Sequence, residues 1–264
     1  MRHPLTLLFF IFLTTIFISP ATLSHAVEND KDDNRTIASL KELIKRKPLN
    51  GELYFNLGNA YDESGRYKEA IEAYKKAVHI KPDDSYAYYN LAVTYGKSGM
   101  YKEAIGAYKR VISIDPGEAD AYYNLGVSCG RIGRYREAVE AYKKVIEIRP
   151  DEINAYLNLG ILYGELGEYR EAIEAFKQAI KIKPDFAMAH YNLGHTYAKF
   201  DSYREAIEAY KQALMIKPDF ADAHLNLGYT FFVFGDKDSA LDQYKILKDL
   251  NKEKANKLFN IIYP

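Results

Sequence analysis

The sequence predicts an all-α fold, a solenoid of stacked antiparallel helix pairs. Three observations carry that expectation. Pro48, Pro82, Pro116, Pro150, Pro184 and Pro218 stand 34 residues apart, as do Leu57, Leu91, Leu125, Leu159, Leu193 and Leu227, and Ala70, Ala104, Ala138, Ala172, Ala206 and Ala240. Self-similarity at a fixed period of this length marks a repeat architecture. Within each period, apolar residues recur at helical spacing in two stretches. Glycine and proline separate those stretches, where a helix pair needs a turn and a stop.

Residues 1–26 are set apart as a signal peptide. Arg2 is followed by the apolar run Leu5 to Ile18, then Pro20, and Ser24-His25-Ala26 has the small-x-small form of a cleavage site. Export to a periplasmic or extracellular space is the expectation. The alternative is an uncleaved membrane anchor over residues 4–23, which carry no formal charge. Residues 27–35 read as a polar linker, and residues 36–50 as an N-terminal capping helix.

Six units of 34 residues fill residues 51–254, beginning at Gly51, Ser85, Ala119, Ile153, Ala187 and Ala221. In the fourth unit Tyr156, Leu159, Gly160 and Tyr163 give helix A one apolar face. Gly167 ends it, because glycine accepts the left-handed conformation beyond a helix C-terminus. Tyr169, Ala172, Ile173, Phe176, Ala179 and Ile180 mark helix B, and Pro184 stops it. Asp185 is placed to cap the next helix A. Asp201 replaces the turn glycine in the fifth unit and is expected to take a positive φ. Gly58, Gly126, Gly160, Gly194 and Gly228 mark a close helix crossing, with the alanine column Ala70 to Ala240 as their expected mate. The last unit runs on into a C-terminal capping helix over residues 248–264, since the end of a repeat stack needs a cover.

Composition narrows the function. Lys+Arg 36 against Asp+Glu 36 leaves no net charge, so no basic excess exists to neutralise nucleic-acid phosphates. Nucleic acid is therefore not expected as a partner. Hydrophobic residues at 48% and charged residues at 27% suit a folded chain. The single Cys129 closes no internal disulfide and builds no cysteine-based metal site. Tyr 24 beside Trp 0 shows tyrosine placed column by column.

The pattern Tyr156-x2-Leu159-Gly160-x2-Tyr163, followed by Ala172-x3-Phe176-x2-Ala179 and Pro184, resembles the tetratricopeptide repeat. That resemblance implies a right-handed superhelix with helix A lining a concave groove and helix B facing out. It also implies binding of extended peptides or helices of other proteins.

Places 4, 7, 8 and 11 of helix A form the core face, so places 5, 9 and 13 point elsewhere, which by resemblance is the groove. Place 5 holds Phe55, Tyr89, Tyr123, Leu157, Tyr191 and Leu225. Place 9 holds Asn59, Ile161, His195 and Tyr229 among others, and Arg131 stands at place 13. An apolar strip rimmed by charge marks a contact site, and tyrosine adds a hydroxyl to a large face. The tyrosines of places 4, 17 and 24 read instead as core. Asn56, Asn90, Asn124, Asn158, Asn192 and Asn226 fill place 6 in every unit. Their amides either hold a peptide main chain, as an asparagine ladder does in long members of the family, or bond neighbouring helices; both readings stay open here. The family subclass that clamps a partner's C-terminal carboxylate carries cations at places 2 and 5. This chain has none there, although Asn59 and Asn90 match part of that clamp.

Enzyme readings are weak. His190 and His224 share place 4 and read as core, while His195 faces the expected groove near Glu165. Core and groove faces diverge, so the three do not converge on a metal. Cys129 at place 11 reads as a buried thiol without a base. The expectation is a non-catalytic protein–protein scaffold without cofactor, in an envelope-associated assembly. The alternative is a carbohydrate- or cell-wall-binding module using the same aromatic and asparagine-lined groove. Self-association through caps or grooves is left open, and membrane contact is expected only through a retained N-terminal segment.

Overall fold

The computed structural model describes residues 29–264, with side chains from residue 34. The signal peptide expected at residues 1–26 and the alternative anchor at 4–23 lie outside the described residues. The described chain is all α-helical. Helix α1 (Asn29–Arg46) precedes six pairs in chain order. These are α2 (Gly51–Glu63) with α3 (Tyr67–Ile80), α4 (Ser85–Lys97) with α5 (Tyr101–Ile114), and α6 (Ala119–Arg131) with α7 (Tyr135–Ile148). Next come α8 (Ile153–Glu165) with α9 (Tyr169–Ile182), α10 (Ala187–Lys199) with α11 (Tyr203–Ile216), and α12 (Ala221–Phe234) with α13 (Lys237–Leu250). The last helix is α14 (Lys252–Ile262).

Two end elements differ from their sequence expectation. α1 starts at Asn29, so residues 29–35 are helix and not linker. Residues 248–250 complete α13. The chain then breaks at Asn251, whose side chain accepts from the Lys254 N–H and starts α14.

The turns follow the backbone chemistry of the repeat. Gly65, Gly99, Gly133, Gly167 and Gly235 all have positive φ, and Asp201 takes the same conformation at φ 57°. Asp201 gains a local partner, since the Tyr203 hydroxyl donates to its carboxylate at 2.7 Å. Each of α3, α5, α7, α9 and α11 stops two residues before a proline. Capping of the A helices is less uniform than the sequence suggests. Asn50 and Asp84 cap α2 and α4 through their side chains. At α10 the N-cap position falls on Phe186, one residue beyond Asp185, with no side-chain cap.

The chain forms two compact units that divide after Ala141. In the first unit α1 packs on α2, and the order α2, α3, α4, α5, α6 packs stepwise, with α2 also meeting α4 and α4 meeting α6. Its core centres on Ala70, Tyr74, Ala104, Tyr108, Val111 and Ala138, all nearly or fully inaccessible. In the second unit the same stepwise packing runs from α8 to α14, with α8 meeting α10 and α10 meeting α12. α14 buries Ala255, Leu258 and Ile262 against α12 and α13.

The groups nearest three members of the glycine column are aromatic rings. An added Cβ at Gly58 would lie 2.5 Å from the Tyr74 ring; at Gly160, 2.6 Å from Phe176; at Gly194, 2.8 Å from Tyr210. At these three glycines the ring at place 24 is the group nearest the added Cβ. Ala70, Ala172 and Ala206 are themselves fully buried. At Gly228 the approaching groups are Leu258 of α14 and Gln243, so the last repeat fills this space from the terminal helix.

Candidate functional site

The A helices set the candidate site, because places 5, 6, 9 and 13 recur on the same side of each. In the first unit Phe55 and Tyr89 are half-buried, each tilted or edge-on to a core tyrosine: Phe55 to Tyr74 and Tyr89 to Tyr108, both at 5.9 Å between centroids. Tyr123 is also half-buried, Asn56 is exposed, and Arg131 is exposed at the edge. In the second unit Leu157 and Ile161 pack over the cluster of Ile173, Phe176 and Leu193. Tyr191 lies tilted against Phe220 at 4.7 Å and against Tyr210 at 5.9 Å between centroids. Tyr229 is half-buried, and burial pushes its hydroxyl pKa up.

Two expected groove residues are buried instead. His195 is only 9% exposed and Leu225 only 7%. One face of a helix runs as a band, and packing against adjacent helices covers part of it, as it covers Leu225. Burial, with the Lys199 charge adding to it, holds the His195 imidazole down at about 4, so it is neutral at neutral pH. Glu165, one repeat earlier, has its pKa raised by burial against the opposing pull of Lys199.

The asparagine column resolves into two kinds of residue. Asn124 Nδ2 donates to the Tyr89 hydroxyl at 3.0 Å, and Asn226 Nδ2 donates to the Tyr191 hydroxyl at 3.0 Å. Each pair joins place 6 of one repeat to place 5 of the repeat before it. Asn158 Nδ2 donates to the Tyr142 hydroxyl at 3.2 Å. These amides tie helices together, which is the structural reading of the column. Asn90 and Asn192 are half-buried in the same register, but the residues before them at place 5 are Phe55 and Leu157, which offer no hydroxyl. Below each, Thr94 and Thr196 donate to the main-chain oxygens of Asn90 and Asn192 at 2.8 Å. Asn59, half of the partial carboxylate clamp, accepts from the Tyr74 hydroxyl at 2.7 Å and is thereby tied to the core.

One network escaped sequence reasoning. Lys97 Nζ lies 2.5 Å from Asp62 Oδ2, and the Thr94 hydroxyl donates to Asp62 Oδ1 at 2.9 Å. Asp62 to Lys97 is a step of 35 residues, the same step that links Tyr89 to Asn124 and Tyr191 to Asn226. A search for polar pairs at that offset finds all three.

The histidines at place 4 serve the fold. His190 Nε2 meets the Pro184 carbonyl at 2.9 Å, and His224 bonds both the Pro218 carbonyl and Gln243. Among the described residues no three His, Cys, Asp or Glu side chains converge as metal ligands. Cys129 is fully buried and its thiol is pushed up to about 11, chiefly by burial. An open cleft of about 450 Å³ lies between α11, α12 and α13, floored by Leu227 and Phe231 and edged by Met215 and Ile246. Among the described residues no helix is long and apolar enough to cross a membrane.

A family model described as TPR repeat matches residues 58–99, 131–167, 162–199 and 202–233. Models described as tetratricopeptide repeat match residues 39–72, 85–118 and 107–140. The chain belongs to the tetratricopeptide repeat family, and its coarse role is that of a scaffold for protein–protein interaction. No curated protein matches it. Among solved structures, MamA is 31% identical with a TM-score of 0.60, over 63% of this chain and 97% of that one. YrrB, described as a TPR protein with an unusual peptide-binding site, is 24% identical with a TM-score of 0.63, over 71% and 96%. The C-terminal part of a TPR repeat-containing protein from Cytophaga hutchinsonii is 19% identical with a TM-score of 0.73, over 86% and 95%. The latter two likenesses concern the fold alone.

Proposed function

We propose that this chain is a non-catalytic scaffold whose A-helix face binds an extended peptide or a helix of a partner protein, in an assembly at the cell envelope. The carrying observation is the row of half-buried apolar and aromatic side chains at places 5 and 9. Phe55, Tyr89 and Tyr123 supply it in the first unit, and Leu157, Ile161 and Tyr229 in the second. Rings held on edge by a core neighbour present area at little entropic cost, which suits recognition. The half-buried amides among them add orientation without charge. The absence of catalysis is supported by the chemistry of the reactive side chains. The Cys129 thiol is inaccessible and disfavours its thiolate, and His190 and His224 are bonded to main-chain carbonyls.

The envelope location rests on the leader-like segment, with Arg2, the apolar run and Ser24-His25-Ala26. Expression of the full coding sequence should yield an exported protein whose N-terminal residue, read by mass spectrometry, is Val27. Retention of Met1 in a cytoplasmic fraction would remove this part of the reading.

The binding claim is tested with random twelve-residue peptides displayed on phage and selected on the intact chain. Selected peptides should lose affinity when Ile161→Ser and Tyr229→Ser are combined, while the helical circular dichroism persists. Tyr191 is a poor probe, because its ring and hydroxyl are tied to Tyr210, Phe220 and Asn226. Glycan binding without any peptide selection would overturn the proposal in favour of a carbohydrate module.

A further inference from the structure

The first and last helices hold opposite halves of a repeat. Counted back from Gly51, Thr36, Ile37, Leu40 and Leu43 of α1 fall at places 20, 21, 24 and 27, so α1 is a B helix. Counted on from Ala221, Ala255, Leu258, Phe259 and Ile262 of α14 fall at places 1, 4, 5 and 8, so α14 is an A helix. Among the described residues α1 has no A helix before it and α14 has no B helix after it.

Burial shows which face α1 leaves bare. Tyr74, Phe176 and Tyr210 at place 24 lie against the glycine at place 8 of their own A helix. Places 20, 24 and 27 form one stripe of a helix, so that stripe is the one an A helix covers. In the six complete repeats, places 20 and 27 are at most 2% exposed, as at Ala70 and Ala77. In α1 the same stripe is Thr36, exposed, Leu40, half-buried, and Leu43, 44% exposed. Ile37 at place 21 is as buried as Ile71 and Ile105, because α2 packs on that side. The missing A helix is not supplied through the turn of the repeat. Complete repeats turn at place 15 with a positive φ, whereas α1 is already helical there, at Lys31.

α14 shows the converse. The place 5 rings of Phe55, Tyr89 and Tyr191 each lie 5.9 Å from the place 24 ring of their own B helix. Phe259 at place 5 has no such helix. It is exposed, and its ring is tilted against Tyr244 at 5.4 Å and against the exposed Tyr263 at 5.0 Å. The outer face of a terminal repeat needs to be polar if nothing is to cover it. Leu43, Phe259 and Tyr263 break that rule at both ends.

We propose that α14 of one copy pairs with α1 of a second copy, so that a complete repeat forms across the contact. Phe259 then meets Leu40 and Leu43 as Phe55 meets Tyr74. A second copy is the occupant because each end supplies the half that the other lacks, in the register of the same repeat. The stacking of B helix on following A helix, which runs through each unit, continues across the contact. The two faces differ, so copies join head to tail, as an open chain or a closed ring. This surface lies apart from the peptide-binding reading and stands or falls without it.

Sedimentation velocity on the protein produced from the full coding sequence reads the contact. The range is about 5 to 500 µM, because a contact of one helix pair lies at the small end of specific interfaces. The weight-average mass of the parent should rise with concentration beyond that of a dimer. Phe259→Lys spoils the α14 face and Leu43→Lys the α1 face. Both side chains are exposed and in the last turn of their helices, where lysine is favourable, so the helical circular dichroism should persist. Each variant alone should stay monomeric, since every junction would include one spoiled face. An equal mixture of the two should form a dimer and stop there. The intact α1 of the Phe259→Lys copy meets the intact α14 of the Leu43→Lys copy, and that dimer also shows that both variants fold. A parent that is monomeric at every concentration would overturn the proposal, with α1 covered by its own chain or by nothing. Parent-like association of Leu43→Lys would overturn it in favour of α14 against α14, and of Phe259→Lys in favour of α1 against α1. A mixture that stays monomeric would overturn it as well.

Discussion

Two glycine-to-alanine substitutions should move stability in opposite directions. Gly106 lies inside α5 and is exposed, and a Cβ there meets nothing within 4 Å. Alanine gains about 0.5–1 kcal/mol over glycine inside a helix, because glycine loses more freedom on folding. Gly106→Ala should therefore stabilise by that amount. Gly160 lies inside α8, with the same propensity gain on offer. Its new Cβ, however, would lie 2.6, 2.7 and 2.8 Å from three ring atoms of Phe176. Carbon atoms pack best at about 3.5–4.0 Å, so the overlap is close to 1 Å on several atoms at once. Phe176 is 2% exposed and cannot swing into solvent. Overpacking of this kind costs about 1–3 kcal/mol, which exceeds the helical gain. The net expectation is a loss of about 0.5–2 kcal/mol, and a domain of this size shifts its melting midpoint by about 2–4 °C per kcal/mol. Thermal denaturation followed by circular dichroism, with urea midpoints alongside, reads both variants against the parent. A rise in midpoint for Gly160→Ala matching that of Gly106→Ala would refute the close approach of ring and helix, and with it the account of the glycine column.

Three further outcomes follow from the same geometry. Ala138 is fully buried, and Ala138→Leu should cost about 1–3 kcal/mol by overpacking, an effect that an unchanged urea midpoint would exclude. His195 is held neutral by burial at about 4, below the unfolded range near 6.5. Its contribution to stability is therefore present above about pH 6.5 and lost as pH falls through the window to about 4, with a magnitude on the order of 3 kcal/mol. His195→Gln should flatten the dependence of the urea midpoint between pH 7 and pH 4.5, and a slope equal to that of the parent would contradict the burial. Cys129, with its thiol pushed up to about 11, should resist alkylation by iodoacetamide at pH 8 in the native protein and react readily in urea; fast native labelling would place it at the surface.

Much of the fold is legible because the repeat is written redundantly. Six copies of the same proline, leucine and alanine columns fix the period, and the turn positions declare their backbone conformation. Even Asp201, the one substitute for glycine in that column, takes the φ of 57° that its neighbours' glycines imply. What a single repeat cannot announce is its tertiary neighbour. Size alone pairs the glycine column with the alanine column, since two small residues suggest two backbones in contact. The structure puts a ring directly against the glycine, and the alanines of the column are fully buried. Small residues leave space, and their sequence does not say which large residue fills it. The ends are harder still, because they occur once. Nothing in the pattern Asn29–Arg35 separates a polar linker from the first two turns of α1.

The site shows the same division in finer grain. That places 5, 6 and 9 share a side of helix A follows from 3.6 residues per turn and needs no structure. Which of those side chains stays accessible depends on the next repeat, because neighbouring A helices meet at a step of 35 residues, one more than the period. That extra residue brings Tyr89 to Asn124, Tyr191 to Asn226 and Asp62 to Lys97. Columns read vertically at a step of 34 therefore describe identity, and diagonals read at 35 describe contact. Along the column every asparagine is the same residue. Along the diagonal its partners differ, since Asn124 and Asn226 meet the place 5 hydroxyl of the repeat before them and Asn158 meets the Tyr142 hydroxyl of helix B.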